Sequence, residues 1–308
     1  MMQTMPQKSV TRRISGEKIW LEMRDVDFRE ADLNAPFRYQ VLGNEEAVGE
    51  AMLRELIDYA AGKEGDVTMV LLGGRGAQAM YRRIAKLAET DELDGLLARL
   101  NVFTQDALAP MRMGNSLSFV RDFERLLGPK FFEKIKSFTP MMTETDNLEG
   151  ELLNYLDRLE ASGGIDIFFL GLGPEANAAS HLCSIKPGAG AAQHDIAGII
   201  PISPSILDHH VNKFKVGGSE VSPEDEAECR AATHILTLGP AAILGARKIV
   251  QSIVDASTAP AKRDSFERMI STEISDDPVE RARQCDENPG LWIRLHPNAT
   301  SFVLPDLL

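Results

Sequence analysis

Three loops hold the residues of this sequence that are best suited to chemistry. The first, "LLGGRGAQAMY", follows an apolar run and carries Gly73, Gly74, Arg75 and Gly76. Glycines let the backbone approach an anion closely, and a guanidinium adds charge to such a site. The same letters also suit a tight strand-to-helix turn that holds no ligand, since they match neither a P-loop nor the dinucleotide spacing. The loop therefore predicts an anion site and leaves the purely structural alternative open.

The other two loops carry carboxylates. In "NVFTQDALAP", Asp106 comes just after an apolar strand, where a carboxylate can act as a general base or can simply cap a helix or form a turn. In "IDIFFLGLGPEANAASHL", Gly171 and Gly173 precede Glu175 and Asn177. None of the three loops decides by itself between a chemical role and a structural turn, and an aspartate alone at a strand end is more often a helix cap or turn former.

Short apolar runs alternate with helical segments along the chain, and this pattern predicts a parallel sheet wrapped by helices. The predicted strands are "FRYQVL", "VTMVLLGG", "LNVFT" and Ile165 to Leu170, and the helices include "EEAVGEAMLRELIDYAAG", "AQAMYRRIAKLAE", "SLSFVRDFERLLG" and "NLEGELLNYLDRLEAS". Farther on, a strand, a glycine turn, a helix and a second strand are predicted over "THILTLGPAAILGARKIVQSIVDAS". A loop is predicted at "KPGAGAAQH", and a turn into a closing strand at "LWIRLHPNATSFVL". In such a sheet ligands bind beyond the carboxyl ends of the strands, where Gly73, Asp106 and Gly171 are expected.

Residues 1–35 show no sustained hydrophobic period, so they are predicted to form an N-terminal extension to a single α/β domain over 36–308. The 308 residues are 44% hydrophobic with a net charge of -13, and no run of lysine and arginine is long enough for a nucleic-acid groove. Cys183, Cys229 and Cys285 are far apart and lack a CxxC spacing, which favours reduced thiols in the cytoplasm. We expect no membrane span, no metal and no cofactor.

Taken in order, the three loops and the tail resemble the glucosamine-6-phosphate deaminase and 6-phosphogluconolactonase family, from about Phe37 onward. "GELLNYLDRLEASGGIDIFFLGLGPEANAAS" is similar to the family's helix, strand and "GxGxDGHxA" loop, and "THILTLGPAAILGARKIV" is similar to its "ALTxGxGxxLxAxxV" segment. "FTQDALAP" with "NSLSF" resembles the "DEY" and "ESY" region, and "LWIRLHPNATSFVL" resembles the "LQxHPxATxxxD" ending. The resemblance is closer to the deaminase branch. It implies a three-layer αβα sandwich with a mostly parallel, Rossmann-like sheet, and an oligomeric enzyme of phosphorylated sugars.

The departures from the family pattern fall on its chemical residues. In the phosphate loop the hydroxyl-bearing "GGSTP" is replaced by a segment that contains Arg75. The proton-transferring aspartate is retained as Asp106. In the "DGH" loop Glu175 stands for the aspartate and Asn177 for the histidine, and asparagine does not titrate. Leu182 falls at the position of the glutamate that supports this histidine.

The candidate residues form two sets. The catalytic set is Asp106, Glu175, Asn177 and His181; His181 would recover the ring-opening step if it points into the cleft, and a histidine at an Ala-rich helical start is otherwise a surface or core residue. The residues expected to bind phosphate and substrate are Gly73, Gly74, Arg75, Gly76, Gly171, Gly173, His210 and Lys262. His209 and His210 fall near the family's phosphate-binding arginine, and Lys262 stands for its phosphate-binding lysine.

Three functions fit these residues. The first is a sugar-phosphate isomerase or deaminase that uses Asp106 as base. The second is a degenerate relative that binds a sugar phosphate as a sensor or partner protein, since losing one member of a catalytic set removes most of the rate. The third is a 6-phosphogluconolactonase, which Asn177 disfavours because an amide cannot activate water as imidazole does.

Overall fold

The computed structural model describes residues 10–26, 28, 31–33, 35–175 and 179–308. The described strands, in chain order, are β1 (Val10–Ser15), β2 (Lys18–Met23), β3 (Tyr39–Val41), β4 (Val67–Leu71), β5 (Leu100–Thr104), β6 (Asp106–Ala109), β7 (Ser137–Thr139), β8 (Ile167–Leu170), β9 (Gly173–Pro174), β10 (Ser180–His181), β11 (Asp195–Pro201), β12 (His234–Leu238), β13 (Lys248–Ile253) and β14 (Ala299–Val303). The described helices are α1 (Glu45–Ala61), α2 (Gln78–Ala88), α3 (Asp94–Leu97), α4 (Phe119–Lys134), α5 (Leu148–Ala161), α6 (Pro204–Val216), α7 (Pro223–Arg230), α8 (Pro240–Gly245), α9 (Ala261–Ser271) and α10 (Pro278–Glu287). Short 3₁₀ turns cover Arg75–Ala77, Pro289–Leu295 and Pro305–Leu307.

A seven-stranded parallel sheet forms the centre of the molecule, in the order β3-β14-β13-β8-β4-β5-β7. Its central strands are apolar because helices or a second sheet cover both faces, and all five residues of β4 are buried. From β4 the chain proceeds to β5 on one side, whereas from β8 it proceeds to β13 on the other. The loops that follow β4 and β8 therefore diverge at the topological switch point, where open α/β sheets bind ligands.

Helices α1, α2 and α4 cover one face of the parallel sheet. Their buried residues, among them Met52, Tyr81 and Phe123, pack against β4 and β8. The sequence sets where these helices begin, since Asn44 accepts a hydrogen bond from Ala47 N at the start of α1, and Ser118 accepts one from Arg121 N at the start of α4. The predicted helices and the predicted parallel sheet are confirmed.

The opposite face is covered by α5, α8 and a second sheet. This sheet is antiparallel in the order β1-β2-β11-β12-β6, and its core is continuous with the buried face of α5. The three-layer α/β sandwich is confirmed, with the addition that one outer layer contains strands as well as helices. The strand predicted in "THILTL" exists as β12, but it belongs to the antiparallel sheet.

The described part of the predicted N-terminal extension is the hairpin of β1 and β2. Strand β2 pairs with β11, and the Trp20 side chain is 0% exposed in the main core. An added Cβ at Gly198 would lie 2.6 Å from the indole ring, so the ring packs directly on that backbone. Whether 1–35 is a separate unit stays a prediction, but its described strands contribute to the second sheet.

His296, in the C-terminal segment "LWIRLHPNATSFVL", has a structural role. His296 Nε2 donates to the Ala246 carbonyl oxygen over 2.7 Å, and its Nδ1 accepts from Asn298 N over 3.1 Å. The imidazole thus ties the end of α8 to the entry of β14, the predicted closing strand. None of the helices in the described ranges is long and apolar enough to cross a membrane.

Candidate active site

One cavity lies beyond the carboxyl ends of β4 and β8, at the switch point of the parallel sheet. Its walls come from the loops after these strands, from the start of β6, from the turn after β10, and from α6 and α9. Its lining residues are Leu72, Gly73, Gly74, Gly76, Gln105, Asp106, Leu108, Phe119, Gly171, Leu172, Gly173, His181, Cys183, Ser184, Ile206, His209, His210, Lys213, Phe214, Ile235, Ser252 and Lys262. The fold therefore brings the three predicted loops to one place.

The first glycine loop leads from β4 into the 3₁₀ turn at Arg75–Ala77. Gly74 has a φ of +77°, which L-residues with side chains rarely adopt. It is also crowded, because an added Cβ would lie 2.5 Å from Lys213 Nζ. Ser252 Oγ donates to the Gly76 carbonyl oxygen over 2.7 Å and fixes the far side of the loop. The backbone of this loop is thus fixed with Gly74 close to the Lys213 ammonium group.

Arg75 lies outside the cavity lining. Its Nη2 pairs with Glu45 Oε1 at 2.7 Å, and both side chains are about one-third exposed. Since Glu45 is in the first turn of α1, the guanidinium is directed to the neighbouring helix. Arg75 therefore does not fill the loop, and its Nη2 is already engaged by Glu45.

Two lysines supply positive charge inside the cavity. Lys262 at the start of α9 is 2% exposed, and its Nζ donates to Asp255 Oδ1 over 2.5 Å and to the Val254 carbonyl oxygen over 3.2 Å. Lys213 on α6 makes no hydrogen bond or ion pair with the residues the structure describes, and burial together with the charge of Lys262 lowers its pKa to about 8. Lys213 was not predicted from the sequence. The available signal was its position four residues after His209, which puts both on one face of a helix.

Asp106 is the first residue of β6 and is 4% exposed. Ser184 Oγ donates to its Oδ2 over 2.5 Å. Burial raises the pKa of Asp106 to about 6, while the Ser184 hydrogen bond and the charge of Lys213 act in the opposite direction. The carboxyl group consequently changes its charge near neutral pH while facing a cavity.

The third loop is closed by the short β9–β10 pair, in which His181 lies opposite Gly173. The imidazole of His181 occupies the space that a Cβ at Gly173 would need. Burial, with the nearby His209 and two lysines, lowers the pKa of His181 to about 3, so the ring is neutral at pH 7. Its Nδ1 is buried and has no hydrogen-bond partner among the described residues.

Glu175 lies beside the start of α6 rather than in the cavity lining. Its Oε1 accepts from Ser203 Oγ over 2.6 Å and from Ser205 Oγ over 3.1 Å, and Ser203 also caps α6. Its Oε2 is buried without a partner in the described part of the chain. Glu175 N donates to the Ala179 carbonyl oxygen over 3.0 Å and closes the loop. Asn177 lies outside the described residues.

The two adjacent histidines of α6 differ. His210 Nε2 donates to the Leu117 carbonyl oxygen over 2.7 Å, and its ring stacks on Phe214 at 4.2 Å between centroids. Burial lowers the pKa of His210 to about 4, so it offers no charge to an anion at pH 7. His209 is also neutral, with a pKa lowered to about 3 by burial and by Lys213, and its buried Nε2 has no partner within the described ranges.

Of the predicted site residues, the cavity brings together Asp106, His181, Gly73, Gly74, Gly76, Gly171, Gly173, His210 and Lys262, whereas Arg75 and Glu175 lie outside its lining. Ser184 and Lys213 were missed. No group of three or more His, Cys, Asp or Glu side chains that could hold a metal ion occurs among the described residues.

Solved structures of sugar-phosphate proteins share this fold. A monomeric glucosamine-6-phosphate deaminase matches with a TM-score of 0.69 and 17% identity, over 88% of this chain and 98% of its own. The 6-phosphogluconolactonase of Trypanosoma brucei matches with a TM-score of 0.60 and 16% identity, over 91% of this chain and 98% of its own. The 6-phosphogluconolactonase of Thermotoga maritima matches with a TM-score of 0.59 and 17% identity, over 87% of this chain and 99% of its own. No protein-family model and no curated protein matches the sequence. The fold implied by the sequence resemblance is thus confirmed, and the branch stays open.

Proposed function

We propose that this chain, with the fold of glucosamine-6-phosphate deaminases and 6-phosphogluconolactonases, is an enzyme that transfers a proton at the carbon next to the carbonyl of a phosphorylated sugar. The observation that carries this proposal is Asp106: a buried carboxyl group with a pKa of about 6 that faces the same cavity as two lysines and a glycine loop. A general base works best when its pKa is near the working pH.

The phosphate is proposed to bind at the loop of Gly73 and Gly74. Backbone N–H groups at a strand-to-helix turn attract anions, and Lys213 and Lys262 add charge at the same end of the cavity. Because Lys262 is also bonded to Asp255, Lys213 is the cation that is free to bind a ligand within the described part of the chain. The overall negative charge of the protein makes this local pair of cations necessary.

Asp106 is the proposed base. It takes the proton from C2 of the open-chain sugar and returns it to C1, while the proton of the C2 hydroxyl passes to the C1 oxygen, so that the carbonyl moves from C1 to C2 and no electrons leave the substrate. The Asn177 amide is the proposed donor to the carbonyl oxygen. Glu175 is proposed as an auxiliary acid or orienting group. The low pKa of His181 favours hydrogen bonding to a sugar hydroxyl over taking its proton during ring opening.

Asp106 also favours the isomerase or deaminase branch over the lactonase. Lactone hydrolysis needs a group that activates water, and the family's histidine for this step is replaced by Asn177. The retained Asp106 corresponds, by the sequence resemblance, to the family's proton-transferring aspartate, and its pKa, raised to about 6 by burial, suits a base that works near neutral pH. Whether ammonia is released depends on the substituent at C2 of the sugar.

A second candidate is a sugar-phosphate-binding protein without turnover. Leu182 occupies the position of the glutamate that supports the family histidine, and its side chain is 0% exposed in the core. A buried leucine cannot take part in proton transfer. This candidate keeps the phosphate site and predicts binding alone.

The experiment is a thermal-shift screen of phosphorylated hexoses, hexosamines and lactones, followed by product analysis for each ligand that stabilises the protein. A ligand that binds only the folded state raises the melting temperature whether or not it reacts. Each sugar phosphate is paired with its unphosphorylated sugar, which we expect to give no shift. Aldose-to-ketose conversion or ammonia release supports the first function. Binding without any product supports the second, and hydrolysis of a lactone alone contradicts the first.

A further inference from the structure

A two-residue turn between Leu182 and Ile185 lies against the proposed base. Leu182 N donates to the Ile185 carbonyl oxygen over 3.0 Å, and Ile185 N donates back over 2.8 Å. The central residues, Cys183 and Ser184, have φ values of 47° and 59°. Turns of this geometry ordinarily use glycine, asparagine or aspartate, because a Cβ is strained in the left-handed region. Two such residues in succession, neither of them glycine, indicate that their side chains are needed in place.

The turn is attached to both strands that hold the base. Thr237 Oγ1 of β12 donates to the Cys183 carbonyl oxygen, and Cys183 Sγ contacts Gln105 Oε1 at 3.6 Å. Thr237 is the cross-strand partner of Asp106 in the β12–β6 register. The turn, β12 and the start of β6 therefore form one connected unit around Asp106.

The turn places the Ser184 hydroxyl within hydrogen-bond distance of the Asp106 carboxylate. Ser184 Oγ donates to Asp106 Oδ2 over 2.5 Å, and both side chains are about 95% buried. Asp106 Oδ1 accepts no hydrogen bond from the residues that the structure describes. Hydrogen bonds from a hydroxyl to a carboxylate are short and strong, so this one fixes the rotation of the carboxylate.

We propose that Ser184 is a positioning residue that holds the Asp106 carboxylate by Oδ2 so that Oδ1 exchanges the substrate proton. This proposal rests on the proposed function. The proton moves from substrate C2 to Oδ1 and from Oδ1 to C1, while the Ser184 hydroxyl keeps its own proton throughout. No bond to Ser184 forms or breaks.

The surroundings of Asp106 give this proposal a pH signature. Burial raises the pKa of Asp106, whereas the Ser184 hydroxyl and the Lys213 charge on α6 lower it. Tyr155 on α5 and Cys183 in the turn also face Asp106, and their own pKa values are raised well above the usual range, so both are neutral near pH 7. Removing the Ser184 hydroxyl therefore moves the pKa of Asp106 further upward.

The test compares Ser184→Ala and Ser184→Gly with Ser180→Ala. Ser180 is 1% exposed and its Oγ has no partner in the described ranges, so Ser180→Ala is a matched loss of a buried hydroxyl. Ser184→Gly relaxes the strained turn, so it shows the loss of the hydroxyl even if Ser184→Ala folds poorly. The readouts are the Asp106 carboxyl titration by carbon NMR and the pH profile of C2 proton exchange on the sugar phosphate found by the screen.

We expect both Ser184 variants to move the Asp106 titration and the acid limb of the exchange profile upward by about one pH unit, the size expected for a hydrogen bond to a charged group. Ser180→Ala should leave both unchanged. An unchanged Asp106 titration, or a rate loss that is equal at every pH, overturns the proposal. If the Asp106 titration shifts in the Ser184 variants but the wild type catalyses no proton exchange on any sugar phosphate, the proposed function is contradicted. The positioning of Asp106 by the Ser184 hydrogen bond is still supported in that case.

Discussion

At the scale of single residues, the proposed chemistry depends on charged groups that the fold buries in one small cavity. Asp106 carries a proposed role from the sequence alone, because the resemblance retains this aspartate while it loses the family's histidine and glutamate. Ser184 and Lys213 were not identified from the sequence, because the turn and the helix that carry them approach Asp106 and Gly74 only in the folded chain. Two predictions follow from these charges.

Replacing Asp106 by asparagine should stabilise the fold at neutral pH. Burial raises the pKa of Asp106 from 3.8 to about 6, so the folded state binds a proton that the unfolded state has released, and the wild type loses stability as pH rises through this interval. At about 1.4 kcal/mol per pKa unit, Asp106→Asn should gain about 1 to 3 kcal/mol at pH 7.5 and little at pH 4. Urea unfolding at the two pH values measures the gain, and an equal effect at both would contradict the raised pKa.

Lys213→Ala should weaken phosphate binding by about tenfold or more, the loss expected for one charge-assisted hydrogen bond. Because burial and Lys262 lower the Lys213 pKa to about 8, wild-type binding should also weaken between pH 7 and pH 9.5, where phosphate stays a dianion. Titration calorimetry with the sugar phosphate measures both effects. Lys215→Ala on the same helix is the control, since Lys215 pairs with Glu226 at the surface. Equal losses in the two variants would contradict the assignment.

At the scale of elements, strands and helices with a strong hydrophobic pattern were predictable, and the position of the cavity followed from them. Parallel strands such as β4, β5 and β8 are short buried apolar runs between helices, so the pattern identifies them and puts Gly73, Asp106 and Gly171 at one edge. The glycine loops were ambiguous because a tight turn and an anion site need the same residues. In the folded chain Lys213 lies against Gly74, which supports the proposed anion site, and the next prediction tests it.

Gly74→Ala should abolish phosphate binding because the added methyl group displaces Lys213, whereas Gly65→Ala should leave binding unchanged. The two glycines have φ values of +77° and +76°, so an added Cβ imposes a similar strain of about 1 kcal/mol on each. At Gly65 nothing lies within 4 Å of that Cβ, whereas at Gly74 it displaces the Lys213 side chain. Chemical denaturation should give similar stability losses for both variants, and calorimetry should show lost binding for Gly74→Ala alone. Normal binding by Gly74→Ala would argue against this loop as the anion site.

At the scale of the whole molecule, the second sheet is the part that the sequence did not predict. Its strands pair over long distances in the chain, β2 with β11 and β12 with β6, and each is too short for its periodicity to show the partner. The resemblance begins near Phe37 and so does not cover β1 and β2. A homo-oligomeric state and a cytoplasmic location stay predictions, and light scattering measures the first.

Trp20→Ala should destabilise the entire protein, because the indole is fully buried in the core shared by the two sheets. Large-to-small substitution of a buried aromatic residue typically costs about 3 to 5 kcal/mol. Ile14→Ala in the same hairpin, at a side chain that is 61% exposed, should change stability little. A single cooperative urea transition shifted in Trp20→Ala is the expected result. A separate early transition, with the rest of the protein unchanged, would support an independent N-terminal unit.

The most direct test of the proposed function is proton exchange at C2 of the bound sugar phosphate in deuterated water, followed by proton NMR for the wild type and Asp106→Asn. The amide keeps the shape of the side chain and cannot accept the proton, so we predict exchange by the wild type and a loss of at least about 100-fold in the variant. Binding of the same ligand should persist in both proteins. Exchange that continues at the wild-type rate in Asp106→Asn would contradict the assignment of Asp106 as the base.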